Sequence, residues 1–308
     1  MGLIDKLKKS GFSFNKSLGQ NFIVDEGFLS SVVSDMGISK DDTVIEVGTG
    51  AGTFTRVLSS FAKQVYTFEV DKRLEQVLKS QFEGLDNIEL VFADALKYDM
   101  DSVVIEGDSG AVDGCGIDGR TGVGSSYYKL IANIPYYITT PLLIKFIQDP
   151  RCSEICVLVQ EELANRVIAS CGTKDYGALS VTMQAWGRCK ILKRVPRHIF
   201  TPVPAVDSAF VQIIRHSAVG SGDISDINTI YSGTLHMGHA DFMNFSNLVK
   251  GSFSGRRKTV ANSLANYLGS SRQVAEKYLR AVNIDAGLRP ENIPVNKYLE
   301  LAKKCQKV

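Results

Sequence analysis

A short apolar stretch that ends in a glycine-rich turn constrains the fold of this chain more than any other feature. Residues 43–47 have the length and composition of a buried strand, and the turn Gly48-Thr49-Gly50-Ala51-Gly52 follows them directly. The next segment, residues 53–62, has the apolar spacing of a helix. A strand, a turn that lets a ligand approach the backbone, and a helix predict an α/β fold with a mostly parallel sheet.

Acidic residues end the next two apolar stretches. Glu69 lies at the end of a predicted strand, 21 residues beyond Gly48, and Asp94 follows a strand predicted over residues 88–92. An acid at the position of Glu69 suits hydrogen bonds from two ribose hydroxyls, and Asp94 suits an adenine amino group. Because parallel strands end at the same edge of a sheet, the pattern predicts a site for a nucleoside-containing cofactor.

The turn Asn133-Ile134-Pro135-Tyr136 follows another apolar stretch, residues 128–132. Pro135 lacks an N–H and fixes its own φ, so the strand must end there in a stiff turn. The carboxamide of Asn133 offers an acceptor and two donors, and Tyr136 offers a flat face for a nucleobase. An ordinary strand-ending turn with a packing tyrosine is the alternative, but the place of this turn in the chain favours a catalytic site.

Two further segments are candidates for the walls of this site. Gly19, Gln20 and Asn21 precede the first strand, and Asp25 is positioned to cap the helix that follows. Farther on, two prolines in residues 199–208 predict a rigid, extended loop that carries Phe200. Phe200 is a candidate second aromatic wall for a base stacked on Tyr136, and its alternative is a place in the core.

The carboxyl-terminal third has a different pattern. Residues 216–226 are rich in Gly, Ser and Asp, and beyond them the apolar residues have helical spacing. We therefore predict a first domain over residues 1–215 and a helical domain over residues 216–308. Residues 101–126 are rich in glycine and acidic residues and predict a flexible insertion in the first domain.

Net charge and hydropathy by themselves exclude few classes of protein. The net charge is only +2, from 35 basic and 33 acidic residues, but basic residues cluster at the start of the chain, over residues 188–197 and over residues 250–258. No apolar run reaches the roughly 20 residues of a membrane span, so we expect a cytoplasmic protein without a membrane partner. His236-x-x-His239 has no second ligand pair nearby, so no metal site is expected.

Six segments, in this order, resemble the ribosomal RNA adenine N6-dimethyltransferase family that modifies a small-subunit rRNA hairpin. They are Leu18-Gly19-Gln20-Asn21-Phe22, Glu46-Val-Gly-x-Gly-x-Gly, Glu69-Val70-Asp71, Asn133-Ile134-Pro135-Tyr136, Phe200-x-Pro-x-Pro-x-Val-Asp-Ser and Phe253-x-x-Arg-Arg-Lys-Thr. Together they span nearly the whole chain, and their order makes the match more specific than any single segment does.

The resemblance implies a seven-stranded Rossmann-like class I methyltransferase sheet with a smaller C-terminal all-α domain that binds RNA. It implies S-adenosylmethionine as the cofactor, with S-adenosylhomocysteine as the product. The implied cofactor contacts are Asn21, Ile23, Gly48, Glu69, Asp94 and Asn133. Asn133, Tyr136 and Phe200 would hold the target adenine as the catalytic residues, and Arg256, Arg257 and Lys258 would contact RNA.

The implied activity is N6-dimethylation of adenosines in a hairpin loop near the 3′ end of small-subunit rRNA. The implied partner is that RNA within an assembling small subunit, and we expect the enzyme to be a monomer. The chain departs from the family pattern at Val203-Pro204-Ala205, where Pro-Pro-Lys is expected, and at Thr49, where proline is frequent. The insertion over residues 101–126 is a third departure.

Three other interpretations share part of the pattern. A nicotinamide-dependent dehydrogenase would share the strand, turn and acid, but its turn is normally G-x-G-x-x-G and it needs no Asn-x-Pro-Tyr. A non-catalytic RNA-binding assembly or transcription factor would be expected to lose the cofactor residues. The large-subunit adenine methylase of macrolide resistance shares the catalytic turn, and the Arg256-Arg257-Lys258-Thr259 segment favours the small-subunit branch.

Overall fold

The computed structural model describes residues 12–15, 20–103, 127–134, 138–216, 239–255 and 258–305. Its centre is a seven-stranded sheet in the order β4-β3-β2-β5-β6-β9-β7. The strands of this sheet are β2 (Thr43–Val47), β3 (Gln64–Glu69), β4 (Ile88–Phe92), β5 (Tyr128–Ala132), β6 (Cys152–Gln160), β7 (Gly187–Val195) and β9 (Ser208–Arg215). The predicted seven-stranded α/β fold is confirmed.

The strand order reverses beside β2. The chain first builds outward from β2 through β3 to β4, then returns to place β5 on the other side of β2 and β6 next to it. The pairs β2–β3, β3–β4, β2–β5 and β5–β6 are all parallel. In register, Val47 lies beside both Phe68 and Ala132. The residues that follow these strands therefore meet at one edge, where such sheets bind ligands.

A second, two-stranded sheet connects two distant parts of the sequence. β1 (Phe22–Ile23) pairs in antiparallel fashion with β8 (Phe200–Thr201), with Phe22 opposite Thr201 and Ile23 opposite Phe200. The segment that contains Asn21 is thus joined by its backbone to the loop that carries Phe200.

The helices begin where the sequence supplies caps or turns. The side chain of Asp25 accepts a hydrogen bond from the Phe28 N–H at 2.9 Å, which confirms the predicted cap, and Gly37 ends the same helix in a left-handed conformation. The helices are α1 (Glu26–Met36), α2 (Thr53–Phe61), α3 (Glu75–Gln81), α4 (Thr139–Gln148), α5 (Glu161–Ile168), α6 (Ala178–Trp186), α7 (His239–Ser252), α8 (Val260–Leu268), α9 (Arg272–Arg280) and α10 (Val295–Cys305).

A hydrophobic core fixes α1 and α2 on the sheet. Leu29 and Val33 of α1 and Leu58 of α2 are fully buried against Val44 and Val65 of the strands. Complete burial of each such side chain contributes about 1.5–3 kcal/mol. The Gly48 turn, which follows β2 directly, lies beside a cavity.

The chain divides into two compact units. The first contains residues 1–160 and 192–210, and the second contains residues 161–191 and 211–308. In the second unit α8 packs against α7 and α9, and α10 packs against α6, α7 and α9. The predicted boundary between residues 215 and 216 stays a prediction. Residues 104–126 of the predicted insertion and residues 217–226 of the predicted linker lie outside the described residues.

The longest helix of the described residues, α7, contains 14 residues. None of the helices in that part of the chain is long and apolar enough to cross a membrane.

Candidate cofactor and catalytic site

A cavity of about 400 Å³ lies at the carboxyl edge of β2, β3, β4 and β5. Its volume falls in the range of roughly 300–1,000 Å³ that is typical of small-molecule sites. All the predicted cofactor residues line it: Asn21, Ile23, Gly48, Glu69, Asp94 and Asn133. Residues that are up to 112 positions apart, Asn21 and Asn133, are therefore brought to one cavity.

Gly48 and Asn133 are in direct backbone contact on the wall of this cavity. Gly48 has a φ of 90°, and a β-carbon at this position would lie 2.5 Å from the carbonyl oxygen of Asn133. The Asn133 N–H donates to the Val47 carbonyl at 3.2 Å, and the Gly48 N–H donates to the Phe68 carbonyl at 2.9 Å. Both the conformation and the close approach require glycine here.

The carboxylate of Glu69 is held as a fixed acceptor. Its Oε1 accepts the N–H groups of Val70 and Asp71, both at 2.9 Å, and its Oε2 accepts the N–H of Gly50 at 2.8 Å. The residue is only 7% exposed, and this burial raises the pKa of the carboxyl while the three N–H donors oppose the rise. Its remaining acceptor capacity suits a hydroxyl group in the cavity.

Asp94 lies in a loop that is held from α4. Its Oδ1 accepts the N–H of Leu96 at 3.0 Å, and its Oδ2 lies 3.6 Å from the Lys97 ammonium. The Lys145 ammonium donates to the carbonyl oxygens of Ala95, Leu96 and Tyr98 at 2.7, 3.1 and 2.5 Å. One cation on α4 therefore fixes the loop that presents the Asp94 carboxylate.

Sequence reasoning missed Glu46, which lies directly below the glycine turn. The residue is fully buried, and the hydroxyls of Thr55 and Thr67 donate to its Oε2 at 2.6 and 2.7 Å. Thr49 and Thr67 share a further hydroxyl contact at 2.7 Å. Burial raises the pKa of Glu46 to about 7, against the effect of the two hydroxyl donors. A charged residue inside the apolar strand was the available signal.

Thr53 was missed as well. It begins α2, lines the cavity and is buried, and its Oγ1 has no hydrogen-bond partner in the described part of the chain. Gly52 caps this helix without a side-chain hydrogen bond. A buried hydroxyl without a partner at Thr53 and a fixed carboxylate acceptor at Glu69, in a largely apolar lining, fit a ligand that carries hydrogen-bonding groups on an apolar body.

Phe200 and the remaining predicted residues do not join this set. Phe200 is 2% exposed and packs in the core cluster with Ile23, Phe54 and Phe210, and it is not among the residues that line the cavity. Its role as a stacking wall stays a prediction. Tyr136, Arg256 and Arg257 lie outside the described residues, and Lys258 is exposed.

Acidic, histidine and cysteine side chains are scattered rather than clustered in the described residues. No group of three or more of them in this part of the chain is arranged to hold a metal ion. His236 lies outside the described ranges.

The fold and the cavity together define a class of protein. A parallel sheet whose strand order reverses beside a glycine turn, with acids at the ends of the next two strands, is a Rossmann-like fold for a nucleoside-containing cofactor. Solved structures with this fold include a dimethyladenosine transferase from Plasmodium falciparum, with a TM-score of 0.70, 23% identity and coverage of 93% of this chain and 98% of that one. The 23S rRNA methyltransferase ErmE has a TM-score of 0.62 and 23% identity, and covers 93% of this chain and 100% of its own.

The sequence comparisons give the family. The family described as "Ribosomal RNA adenine dimethylase" matches residues 11–307. The ribosomal RNA small subunit methyltransferase A of Clostridioides difficile (strain 630) is 35% identical over 298 residues, which cover 96% of this chain and 92% of that protein. The protein of the same name from Lysinibacillus sphaericus (strain C3-41) is 35% identical over 300 residues, with 96% and 92% coverage. The chain belongs to the ribosomal RNA adenine dimethylase family, and its methyl donor is S-adenosylmethionine.

Proposed function

We propose that this enzyme dimethylates N6 of adenosines in a hairpin loop near the 3′ end of small-subunit rRNA, acting in the cytoplasm on an assembling subunit. The observation that carries the proposal is the backbone contact between Gly48 and Asn133. Because of this contact, Asn133, the first residue of the turn predicted to hold the acceptor base, lies on the wall of the cavity predicted to hold the donor. Both reactants can therefore meet at this wall.

The acceptor is the difficult partner in this reaction. The lone pair of an adenine amino group is delocalised into the ring, so the nitrogen is a poor nucleophile. We assign the Asn133 carboxamide oxygen and a backbone carbonyl of the same turn to accept the two N6 hydrogens, which favours a pyramidal nitrogen with its lone pair directed at the donor. S-adenosylmethionine supplies an already electrophilic methyl group. The contribution of the protein is orientation and electrostatic stabilisation.

The target base has to leave its stack to reach Asn133. Unstacking costs a few kcal/mol, and stacking on an aromatic side chain returns about 1–3 kcal/mol per base. Tyr136 and Phe200 are the proposed aromatic partners. Because Phe200 is buried in the core cluster, its stacking role requires the segment Phe200–Thr201 to rearrange when the base enters.

The small subunit is the proposed substrate because the relatives described above are named for it and align over nearly the whole chain. Fold similarity to ErmE over 93% of the chain favours a second candidate, adenine methylation of 23S rRNA. We place the RNA contacts of either substrate in residues 216–308, with Arg256, Arg257 and Lys258 at their centre, and propose that the enzyme acts as a monomer.

In the test, the purified enzyme is incubated with labelled methyl donor and with small or large ribosomal subunits that lack adenine N6 methylation. The labelled bases are then mapped. Dimethyladenosine in a hairpin near the 3′ end of the small-subunit rRNA is expected. Label in the large-subunit rRNA alone would establish the second candidate, and no label on either subunit would refute both. An Asn133→Ala enzyme is the catalytic control.

A further inference from the structure

The segment before β1 is tied to the end of β3 through Gln20. Gln20 lines the cavity, and its side-chain Nε2 donates to Oδ2 of Asp71 at 2.8 Å. Its Oε1 accepts the backbone N–H of Asn15 at 2.8 Å. The side chain of Gln20 thus connects two parts of the N-terminal segment to a carboxylate that does not itself line the cavity.

Asp71 is an unusually well-satisfied carboxylate. Its Oδ1 accepts the backbone N–H and the Nε of Arg73 at 3.1 and 2.8 Å, and its Oδ2 accepts the Arg73 Nη2 at 2.6 Å besides Gln20. The Arg73 hydrogen bonds hold the pKa of Asp71 below its ordinary value, against the effect of burial. The pair is bidentate, which fixes the carboxylate in orientation as well as in charge.

Arg73 extends the connection to the aromatic residues of the segment. Its Nη1 donates to the carbonyl of Ser13 at 3.3 Å, and its guanidinium lies 5.2 Å from the ring centroid of Phe12. The rings of Phe12 and Phe14 in turn lie 6.2 and 5.3 Å from the ring of Phe22, measured between centroids. Residues 12–15 and Phe22 are therefore anchored to the same ion pair.

Asp71 also contacts Glu69, a second residue that lines the cavity. Its backbone N–H donates to Oε1 of Glu69 at 2.9 Å. A single residue outside the cavity thus fixes the acid proposed to hold the ribose and, through Gln20, the segment that contains Asn21.

We propose that Asp71, with Arg73 as its counter-ion, is a positioning residue that holds Gln20 and Asn21 closed on the bound cofactor. It thereby sets the rate at which S-adenosylhomocysteine leaves between the two methyl transfers. This inference rests on the proposed function, because two transfers to one base require the product to be exchanged for fresh donor. Loosening the ion pair between Asp71 and Arg73 therefore raises the dissociation rate of S-adenosylhomocysteine and also weakens cofactor binding.

Position 20 gives a graded test in the full-length enzyme. Gln20→Ala removes the connection, whereas Gln20→Glu keeps the acceptor for Asn15 but turns a carboxylate toward Asp71. We expect the dissociation rate of S-adenosylhomocysteine, measured by stopped flow, to rise about tenfold in Gln20→Ala and further in Gln20→Glu. Asp71→Ala removes both the acceptor for Gln20 and the partner of Arg73, and its dissociation rate should rise at least as far as that of Gln20→Ala.

The control is Glu75→Gln, which removes an exposed carboxylate that pairs with Lys79 at 2.8 Å on the neighbouring helix α3. It should leave the dissociation rate unchanged. A purely structural role for Asp71 would lower the unfolding temperature of every variant without separating Gln20→Glu from Gln20→Ala. Equal rates for Gln20→Ala and Gln20→Glu, or an unchanged rate in Asp71→Ala, would overturn the inference.

The same measurement separates this inference from the proposed function. A wild-type enzyme that fails to bind S-adenosylhomocysteine would contradict the proposed cofactor site itself. A wild-type enzyme that binds it, with dissociation that is insensitive to Gln20 and Asp71, would contradict only the positioning role.

Discussion

The carbonyl oxygen of Asn133 occupies the space that a side chain on Gly48 would need. The distance from this oxygen to an ideal β-carbon on Gly48 would be 2.5 Å. Because the nearest atoms on Asn133 belong to its backbone, they cannot move aside as the end of a flexible side chain could. The glycine of one turn and the asparagine of another, on neighbouring parallel strands, are therefore fitted to each other. A side chain at position 48 should therefore displace the Asn133 backbone, whereas truncation of the Asn133 side chain should leave the contact in place.

Gly48→Ala should abolish binding of S-adenosylhomocysteine, because the new methyl group would displace the backbone of Asn133 from the cavity wall. Gly84→Ala is the matched control, since Gly84 has a similar φ of 79° but no atom within 4 Å of the added carbon. It should cost about 1 kcal/mol of stability from backbone strain and leave binding intact. Calorimetric titration and thermal unfolding of both variants measure the two effects; normal binding by Gly48→Ala would contradict the steric argument.

Asn133→Ala should lower kcat by about 100- to 1,000-fold, as expected when a hydrogen-bonding group acts mainly in the transition state. The affinity for S-adenosylhomocysteine should be retained, because the contact with Gly48 is made by the backbone carbonyl. Single-turnover methylation and calorimetric titration give the two quantities. Turnover at the wild-type rate would remove Asn133 from the catalytic role.

Glu46→Gln should make the enzyme more stable at alkaline pH. Burial raises the pKa of Glu46 from about 4.5 to about 7, so the folded state holds a proton that the unfolded state has lost. The contribution of Glu46 is therefore fully present below pH 4.5 and is lost as the pH rises through 7. The stability difference between variant and wild type should grow to on the order of 3 kcal/mol by about pH 8.

Urea denaturation from about pH 5 to about pH 8.5 measures this difference across the titration of Glu46. The exposed Glu89 of β4 provides the control, and Glu89→Gln should follow the wild-type curve. A constant difference between Glu46→Gln and the wild type across this range would show that Glu46 is ionised throughout.

Lys145→Met should weaken cofactor binding about tenfold, because three carbonyl oxygens of the loop after Asp94 lose their common donor. Lys129→Met is the control, since Lys129 connects β5 to Asp42 at 3.0 Å and to the Gly37 carbonyl at 3.3 Å. Neither of these partners lines the cavity, whereas Ala95 and Leu96, which Lys145 holds, do. Both variants should lose stability, and only Lys145→Met should lose affinity in a titration with S-adenosylhomocysteine. Equal affinities would show that the loop needs no support from α4.

Replacing Arg256, Arg257 and Lys258 with glutamate should weaken binding to small ribosomal subunits and flatten its salt dependence. Each lost phosphate contact lowers the slope of log K against log salt by about 0.7–0.9. Lys303 and Lys304, exposed in the last turn of α10, form a control pair of basic residues outside the cluster. In binding assays over a range of salt concentrations, the variant of the control pair should have the wild-type slope. A wild-type slope in the cluster variant would show that the three basic residues form a solvated surface without RNA contacts.

The parts of the site that the sequence predicted are those set by local pattern. Gly48, Glu69 and Asp94 each follow or end an apolar strand, and parallel strands end at a common edge, so their meeting at one cavity needed only strand positions. Asn133 was predicted for the same reason, with a proline two residues later to end the strand.

The parts that the sequence did not predict depend on which strands are neighbours and in which register. Glu46 meets Thr67 because the two residues are direct partners in the β2–β3 register, and no spacing along the chain reveals that. Lys145 reaches the loop after β4 only because α4 packs beside it. Phe200 was predicted to line the site, but it packs in the core cluster. An aromatic residue in a proline-rich loop has the same sequence pattern in either place.

β7 has no strand signal in the sequence for a further reason. Residues 187–195 form the last strand of the sheet in its order, and basic side chains recur along them, with Arg188, Lys190 and Arg194 exposed. The sequence pattern identifies this stretch only as a basic cluster. An edge strand that carries exposed basic residues lacks the apolar run that marks the buried strands.

The backbone pairing of β1 with β8 has a thermodynamic consequence. Ile23, on the proposed donor side, and Phe200, on the proposed acceptor side, are partners in one two-residue ribbon. If both the donor and the RNA bind better to one arrangement of this ribbon, the donor raises the affinity for RNA. The RNA then raises the affinity for the donor by the same factor, since linkage between two binding equilibria is reciprocal. The enzyme would then bind its RNA with an affinity that depends on whether the donor, the spent product or neither is present.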